Sequence, residues 1–581
     1  MKDSPVGTPV TLKVDSKGFY LFWTDQNNET EYLEISSIRD TRTGKHAKTP
    51  KEGKLRDSIN IGAKDASLED KSVTVAYGAD YVNVSFINFC CGSREIAQLW
   101  TDELLVMATN LLFINAPVIS YIEKAFTRIL LSTDKDGKIP VKSIVKMLAN
   151  HKDDRRRIEK SLETCGIAGS KGDYITPDKF SFEAFYSFYR YLTARSEVEQ
   201  VFEQLCGGHK KKTMTTEQLV DFLNREQRDP RLNEILYPYA TPPRARDLIK
   251  QYEPNKTNVQ KGLLSFEGFL RYLLSEDNAI IAPEKIDLSQ DMDQPMNHYF
   301  INSSHNTYLT GHQLTGKSSV EMYRQCLLSG CRCIELDCWN GRNSDEEPII
   351  THGYTVVTEI LLKEVIEAIA DSAFKTSQYP VILSFENHCS PKQQAKMAQY
   401  CTKIFGDMLL TDPLSSYPLK SGTPLPSPNQ LLRKIIIKNK KKHHQRPHKP
   451  IPGSSSPAAA AVTPGHRPAG ISGGVQQQPQ GSPQPQDSSQ SSQALSSSAS
   501  PTQMTSGQPQ PDDFNTGVLS NIDDNSVSYA ESDGSEGTDS DEEESVTFTS
   551  AVDSANAEGT AASESEAVAE MSALVNYCQP V

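Results

Sequence analysis

The chain has 581 residues, more than one ordinary domain holds, and this length predicts about three or four units. Its 60 basic and 74 acidic side chains leave a net charge of −14, which argues against general nucleic-acid binding and against a membrane-coating basic surface. Because no run of about 18 apolar residues occurs and the N-terminus lacks an apolar core, neither a membrane span nor a signal peptide is predicted. Eleven cysteines without the spacing of a disulfide framework favour a reducing, cytosolic setting.

Residues 1–115 are rich in strand patterns. Polar turns separate the runs that predict the strands Thr11–Val14, Phe19–Trp23, Ser72–Ala76 and Val82–Phe86. An amphipathic helix is predicted from Ser93 to Leu112, because its apolar residues recur at helical spacing. Several short strands closed by one C-terminal helix are typical of a pleckstrin-homology domain, an α+β fold.

Residues 116–285 are predicted to be helical, and they contain an internal repeat. Ser181–Phe185 reads Ser-Phe-Glu-Ala-Phe, and Ser265–Phe269 reads Ser-Phe-Glu-Gly-Phe. Such self-similarity predicts two related lobes, each built from a helix pair. The loop that begins at Ser132 resembles an EF-hand loop, with Asp134 and Asp136 in place. Its twelfth position is Ser143, where a calcium-binding loop needs a bidentate glutamate. We therefore expect a structural EF-hand-like domain and not a calcium sensor.

Residues 443–565 are of low complexity. A tract rich in serine, proline, glutamine, alanine and glycine is followed by an acidic stretch that ends near Glu544. This composition offers too few apolar groups to offset the entropy of ordering, so we expect a disordered acidic linker. Patterned sequence returns at Glu570–Gln579, within the final segment 566–581.

In residues 293–442, strand and helix patterns alternate, which predicts a parallel α/β sheet or barrel. The helical runs are Val320–Ser329, Glu359–Phe374 and Pro391–Phe405. The predicted strands are His298–Asn302, Arg332–Asp337, Pro348–His352, Val381–Glu386 and Ile435–Lys440. Four cysteines between Cys326 and Cys338 lack the spacing of paired zinc knuckles, and we interpret them as buried structural thiols.

Polar side chains occur together at the ends of these predicted strands. Such ends carry the catalytic groups of a (β/α)₈ barrel. The candidates are His305, Asn306, Glu335, Asp337, His352 and Glu386. The amide and carboxylate oxygens suit calcium or magnesium better than zinc. Two histidines beside such a metal fit acid–base chemistry at phosphorus, and the basic run at residues 438–442 could bind further phosphate. Any one of these residues alone would be read as a solvated surface group, whereas six at successive strand ends indicate a site.

Five motifs in this region resemble the X region of eukaryotic phosphoinositide-specific phospholipases C. They are Ser303–Leu309, Gly330–Trp339, Thr351–Gly353, Ser384–Asn387 and Ile437–Lys440. Arg228–Pro238, Val320–Arg324 and the order of the segments resemble the β class of that family. The resemblance implies the first half of a TIM (β/α)₈ barrel in residues 293–442. It also implies that residues 566–581 begin a Y half, so that the chain is expected to be a truncated form.

The resemblance also implies an activity and the residues that perform it. His305 and His352 would be the catalytic pair, and Asn306, Glu335, Asp337 and Glu386 would bind Ca²⁺. Lys438 and Lys440 would bind the ring phosphates of phosphatidylinositol 4,5-bisphosphate, which the family hydrolyses to diacylglycerol and inositol 1,4,5-trisphosphate. Implied partners are the membrane surface and heterotrimeric G-protein subunits, namely the q-class α subunit and the βγ subunits. The implied location is the cytoplasm, peripherally at the inner face of the plasma membrane.

Two other functions stay open. The chain could be a truncated, non-catalytic product that binds G-protein subunits through its first two domains as a regulatory or scaffold protein. A metal-dependent phosphodiesterase of another barrel family is the third reading, although it would leave the flanking domains unexplained.

Overall fold

A computed structural model describes the chain in several stretches. They are residues 7–62, 65–110, 117–168, 174–208, 211–279, 281, 290–342, 346–441, 517–520 and 564–579. Within these stretches, none of the helices combines the length and the apolar character that crossing a bilayer would require. Of the predicted linker, residues 443–565, only residues 517–520 and 564–565 lie within the described stretches.

The N-terminal domain is built on antiparallel strands. They are β1 (Thr8–Val14), β2 (Tyr20–Asp25), β3 (Thr30–Glu34), β4 (Ile38–Arg42), β5 (Ser72–Tyr77) and β6 (Ser85–Cys90). A short helix, Gly53–Ile59, follows β4, and the helix Arg94–Ala108 closes the domain. The Ser93 side chain caps this closing helix by accepting a hydrogen bond from the Ile96 N–H group. Its buried face packs on the sheet, as expected for a pleckstrin-homology domain.

The second domain consists of two helical lobes, each with its own hydrophobic core. Its helices are Val118–Leu131, Val141–Leu148, Lys152–Thr164, Phe182–Leu192, Ser196–Leu205, Thr216–Asp221, Pro242–Tyr252, Lys256–Lys261 and Phe266–Leu273, with a π-helical turn at Phe222–Glu226. Two pairs of short strands join the loops: β7 (Ile139–Pro140) with β8 (Tyr174–Ile175), and β9 (Thr213–Thr215) with β10 (Leu263–Ser265). Ser181 and Ser265 each cap a helix, so the two copies of the repeated motif have the same structural role. The predicted pair of lobes is confirmed.

The third region contains a mixed sheet flanked by helices. Its strands are β11 (Cys333–Trp339), β12 (Ile349–Ile350), β13 (Ile360–Leu361), β14 (Val381–Asn387) and β15 (Ile435–Lys438). Its helices are Val320–Leu328, Leu362–Ser372 and Pro391–Phe405. Strands β11, β14 and β15 run parallel to one another, whereas β12 and β13 add antiparallel pairings beside β11.

Two later segments also contribute strands, and the first of them lies inside the predicted linker, so the expectation of disorder is wrong for residues 517–520. Residues Gly517–Ser520 form β16, which pairs with β1 and β6 and completes a seven-stranded sheet. Val575–Cys578 form β17, which pairs in parallel with β15 after a short helix, Ala569–Ala573. The sheet of the third region therefore has the order β13-β12-β11-β14-β15-β17, and among the described residues it is open at both edges.

Two strand predictions for this region were wrong. His298–Asn302 is not a strand, because Met296–His298 forms a 3₁₀ turn and the apolar Phe300 that follows it is fully exposed. A single parallel bridge, Ser303 to Cys333, keeps this segment beside β11. Only residues 349–350 of the predicted strand Pro348–His352 pair, and they pair antiparallel to β11.

A network of ion pairs joins the N-terminal domain to the third region. The Arg42 guanidinium is almost fully buried and contacts Asp40 at 2.6 Å and Glu321 at 2.5 Å. The Lys375 ammonium lies 3.1 Å from the same Asp40 carboxylate and 3.4 Å from Asp371. Because Asp40 is completely buried, its charge depends on these two cations for compensation.

We predict that Arg42→Met lowers the free energy of unfolding by about 3 kcal/mol, since removing one partner leaves the other charge buried without full compensation. Urea unfolding followed by tryptophan fluorescence measures the change. The control is Lys17→Met, which breaks an exposed pair with Glu123 and should cost less than about 1 kcal/mol. Equal losses in the two variants would contradict this prediction.

Candidate active site at the carboxyl ends of the strands

Three carboxylates converge at the carboxyl ends of β11 and β14. Glu335 and Asp337 lie two residues apart on β11, so their side chains leave the same face of the strand. The parallel register places Asp337 opposite Glu386 of β14. One oxygen from each carboxylate lies within 4.8 Å of the others. Within the described part of the chain, no other group of three or more histidine, cysteine or acidic side chains meets the geometry of a metal site.

Asp337 lies at the buried centre of this cluster. The Tyr308 hydroxyl donates a 2.6 Å hydrogen bond to its Oδ2, whereas Oδ1 is buried and accepts no hydrogen bond from the described residues. Burial raises the pKa of Asp337 to about 8, and the nearby charges of Glu386 and Glu335 act in the same direction. A cation bound at Oδ1 would reverse this effect, since it would stabilise the charged carboxylate.

Asn306 lies beside the cluster in an unusual backbone conformation. Its φ angle is 42°, in the left-handed region that costs free energy for any residue other than glycine. Its N–H group donates to Glu335 Oε2 at 2.8 Å, and its side-chain Nδ2 donates to Gln313 Oε1 at 2.7 Å. This arrangement leaves Asn306 Oδ1 as a possible oxygen ligand. His305 precedes Asn306 directly and is exposed.

His352 lies in the loop after β12, close to the same strand end. The neighbouring Thr351 N–H group donates to the Asp337 carbonyl at 3.3 Å. His352 Nδ1 lies 2.6 Å from the backbone carbonyl oxygen of Gln313. Because a carbonyl only accepts hydrogen bonds, Nδ1 carries the proton, and Nε2 is the nitrogen available to a ligand. Gln313 thus contacts Asn306 through its side chain and His352 through its backbone.

Close packing around Trp339 holds this loop in place. The ring of His388 stacks on the Trp339 indole with centroids 3.9 Å apart, and His388 Nε2 lies 3.0 Å from Glu386 Oε1. A Cβ atom at Gly353 would come within 1.9 Å of the same indole ring. Only glycine fits next to His352, and His388 orients Glu386.

The lysines at the end of β15 make different contacts. The register places Lys438 of β15 opposite Ser384 of β14, and its Nζ atom donates to the Ser384 hydroxyl at 3.0 Å. It therefore lies on the same face as the carboxylates. Lys440 follows the end of β15, and its backbone carbonyl accepts from the N–H group of Ala567 in the returning segment. Lys441, the next residue of the basic run, donates to the Val575 carbonyl at 3.2 Å.

The EF-hand-like loop has a different arrangement. The Asp134 carboxylate accepts hydrogen bonds from the backbone N–H groups of Asp136 and Lys138, at 3.0 and 2.8 Å. The carboxylate thus stabilises the turn of its own loop. This contact agrees with the expected structural role.

Four residues of the site were not identified from the sequence: Tyr308, Gln313, His388 and Glu564. Tyr308 lay within a quoted motif, and His388 follows the Glu386 strand directly, so a search for neighbours of the acidic residues could have found both. The Glu564 carboxylate lies near Glu386, and its own pKa is raised by burial and by that charge. No local pattern indicated Gln313 or Glu564, because their proximity arises from tertiary contacts.

We predict that Gly353→Ala lowers the free energy of unfolding by about 1–3 kcal/mol, because the added methyl group overlaps the Trp339 ring. Gly311→Ala is the matched control, since a Cβ atom there meets no atom within 4 Å. Thermal unfolding of both variants measures the difference. Similar stability of the two variants would show that the packing around Trp339 does not constrain the loop.

Comparisons with known proteins agree with this geometry. The family model for the phosphatidylinositol-specific phospholipase C X domain matches residues 292–441, and a PH-domain model matches residues 1–115. A β1–4-like EF-hand model of phosphoinositide phospholipase C matches residues 122–193, and an EF-hand-like model of the phosphoinositide-specific enzymes matches residues 188–283.

The chain is also similar to individual relatives. It is 62% identical over 424 residues to the Drosophila melanogaster 1-phosphatidylinositol 4,5-bisphosphate phosphodiesterase classes I and II, covering 73% of this chain and 32% of that protein. It is 52% identical over 444 residues to the Bos taurus β-1 protein, covering 76% and 36%. The crystal structure of PLC21 from L. pealei aligns with a TM-score of 0.71 at 46% identity, covering 75% of this chain and 56% of that one.

The chain spans about a third of the length of these two curated relatives. The predicted domain types are confirmed by the family models and by the structural neighbour. Over residues 1–441, the chain belongs to the phosphoinositide-specific phospholipase C family and is similar to its β class.

Proposed function

We propose that this chain supplies the first half of the active site of a calcium-dependent phosphodiesterase. The enzyme would hydrolyse phosphatidylinositol 4,5-bisphosphate to diacylglycerol and inositol 1,4,5-trisphosphate in G-protein-coupled signalling. The observation that carries this proposal is the convergence of Glu335, Asp337 and Glu386 beside two histidines. The printed names of the relatives, which are phosphodiesterases of the same lipid, support the choice of substrate.

The donor set fits a hard divalent cation. Asn306, Glu335, Asp337 and Glu386 offer amide and carboxylate oxygens, which calcium prefers, without a cysteine or histidine ligand. The buried Asp337 Oδ1, which has no hydrogen-bond donor, is the group most in need of such a cation. When bound there, calcium would lower the pKa of a hydroxyl group that it contacts and stabilise charge on the phosphoryl oxygens.

The side chains of the site then divide the chemistry among them. The inositol 2-hydroxyl attacks phosphorus, and its proton passes to a carboxylate, for which Glu335 and Glu386 are the two candidates. His352 Nε2 protonates the departing diacylglycerol oxygen, and His305 stabilises the phosphoryl charge. Water then opens the cyclic phosphate. Lys438 and Lys440 attract the ring phosphates. Lys438 is placed for this role because it lies on the same face of the sheet as the carboxylates.

An apolar rim beside His352 supports action at a lipid surface. Tyr354 and Val356 are 87% and 76% exposed, and Leu314 is about half exposed. The Val356 N–H group donates to the Leu314 carbonyl at 3.2 Å, so the two loops that carry the rim lie together. Exposed apolar side chains next to a charged pocket are suited to contact with a membrane while the headgroup enters the site.

We predict that His352→Ala lowers inositol phosphate release from mixed micelles with calcium by about 10²–10⁴-fold, as the loss of one acid–base group does.

Since the sheet is open among the described residues, the chain is assayed alone and with a second polypeptide that covers the part of the Drosophila relative beyond the matched segment. We expect useful turnover only in the second case.

The control is His312→Ala, whose ring accepts a hydrogen bond from the Leu314 N–H group but lies outside the proposed catalytic set. Equal activity of the His352 and His312 variants would remove His352 from its role. If the supplemented wild-type chain released nothing while it bound G-protein subunits, the non-catalytic alternative would replace the enzyme.

A further inference from the structure

The helix Val320–Leu328 ends in a turn that brings two cysteines together. The Cys331 N–H group donates to the Cys326 carbonyl at 3.0 Å, and the Gly330 N–H group donates to the Leu327 carbonyl at 3.1 Å. Gly330 has a φ angle of 109°, which suits glycine at this position. This pair of bonds defines a Schellman motif, in which the side chains at the positions of Cys326 and Cys331 contact each other. The turn therefore places the two thiols side by side, and each shifts the pKa of the other.

These thiols also contact the segment that leads into the candidate site. The Cys326 thiol donates to the Ser304 hydroxyl at 3.8 Å, and the Cys331 thiol donates to Asn302 Oδ1 at 4.0 Å. The contact with Asn302 requires an S–H group on Cys331, because an amide oxygen only accepts hydrogen bonds. Ser304 immediately precedes His305, so the state of the two thiols bears on the backbone that holds the candidate site.

The two cysteines differ in reactivity. The interaction with Cys326, together with the nearby Arg332 charge, lowers the pKa of Cys331 to about 7, whereas the same interaction raises the pKa of Cys326. Cys331 is also partly accessible. A partly exposed thiol with a lowered pKa next to a second thiol is the arrangement of a redox-sensitive cysteine and its resolving partner.

We propose that Cys326 and Cys331 form a peroxide-sensitive pair that closes to a reversible disulfide and thereby alters the segment 302–306. This assignment replaces the structural role expected for both thiols from the sequence. It is independent of the proposed function, since it concerns the bond between the two sulfurs and the backbone beside them.

The reaction balances with hydrogen peroxide as the oxidant. The Cys331 thiolate attacks one peroxide oxygen, the O–O bond breaks, and the departing hydroxide takes up a proton to leave as water. Cys326 then attacks the sulfur of the resulting sulfenic acid, which releases a second water and forms the disulfide. Two electrons pass from the thiols to one peroxide, and a small thiol such as glutathione returns them by exchange. The disulfide has no S–H group, so Asn302 Oδ1 loses its donor.

Trypsin provides a direct test, because it cleaves after Arg324 and Arg332 and places both cysteines in the peptide 325–332. After hydrogen peroxide treatment of the full chain, we expect this peptide to lose the mass of two hydrogens and to resist alkylation until a thiol is added. In the reduced chain, iodoacetamide should alkylate Cys331 about tenfold faster at pH 7 than Cys165, whose thiol is a lone one with a raised pKa. Amide hydrogen exchange in residues 302–306 should differ between the reduced and oxidised chains.

Two variants make the test specific. Cys326→Ser should abolish the loss of two hydrogens and the exchange difference, whereas Cys333→Ser, which removes the next thiol along the chain, should preserve both. A peptide 325–332 that stays fully alkylatable after peroxide treatment would overturn the proposal. A disulfide that leaves exchange in residues 302–306 unchanged would overturn the claim that it acts on this segment.

Discussion

The repulsion among Glu335, Asp337 and Glu386 is the constraint on which the candidate site depends. Three carboxylates within 4.8 Å of one another, one of them almost fully buried, are unfavourable unless something compensates their charge. Among the donors described above are the Tyr308 hydroxyl, the His388 imidazole and the Asn306 N–H group. Such donors orient the oxygens but do not bring a positive charge into the cluster as a metal ion would, which is why the arrangement favours a bound cation.

The parallel pairing of β11 with β14 and β15 holds these groups in place. A shift of one residue in this register would turn Asp337 or Glu386 towards the helices, since side chains alternate between the two faces of a strand. On the opposite face, Leu336, Phe385 and Ile437 pack into the largest described hydrophobic core. The free energy of burying this apolar face thus fixes the position of the charged one.

Much of the site could be predicted from the sequence, because period-two strands and polar strand ends are local patterns. Asp337 and Glu386 were located correctly in this way. The strand His298–Asn302 was wrong, since an apolar run was taken as buried although Phe300 is exposed. Strands β3 and β4 were missed because their sequences are largely polar. Gln313 could not be predicted, because its contacts with Asn306 and His352 exist only in the folded chain.

Calcium titration by calorimetry tests the central claim most directly. The account predicts that the full chain binds calcium at the carboxylate cluster, that Glu335→Gln removes this binding, and that the double variant Asp134→Asn with Asp136→Asn keeps it. Both variants remove acidic charge, so a general electrostatic effect would appear in both. Loss of binding in the Asp134 and Asp136 variant, with normal binding by Glu335→Gln, would contradict the account and assign calcium to the EF-hand-like loop.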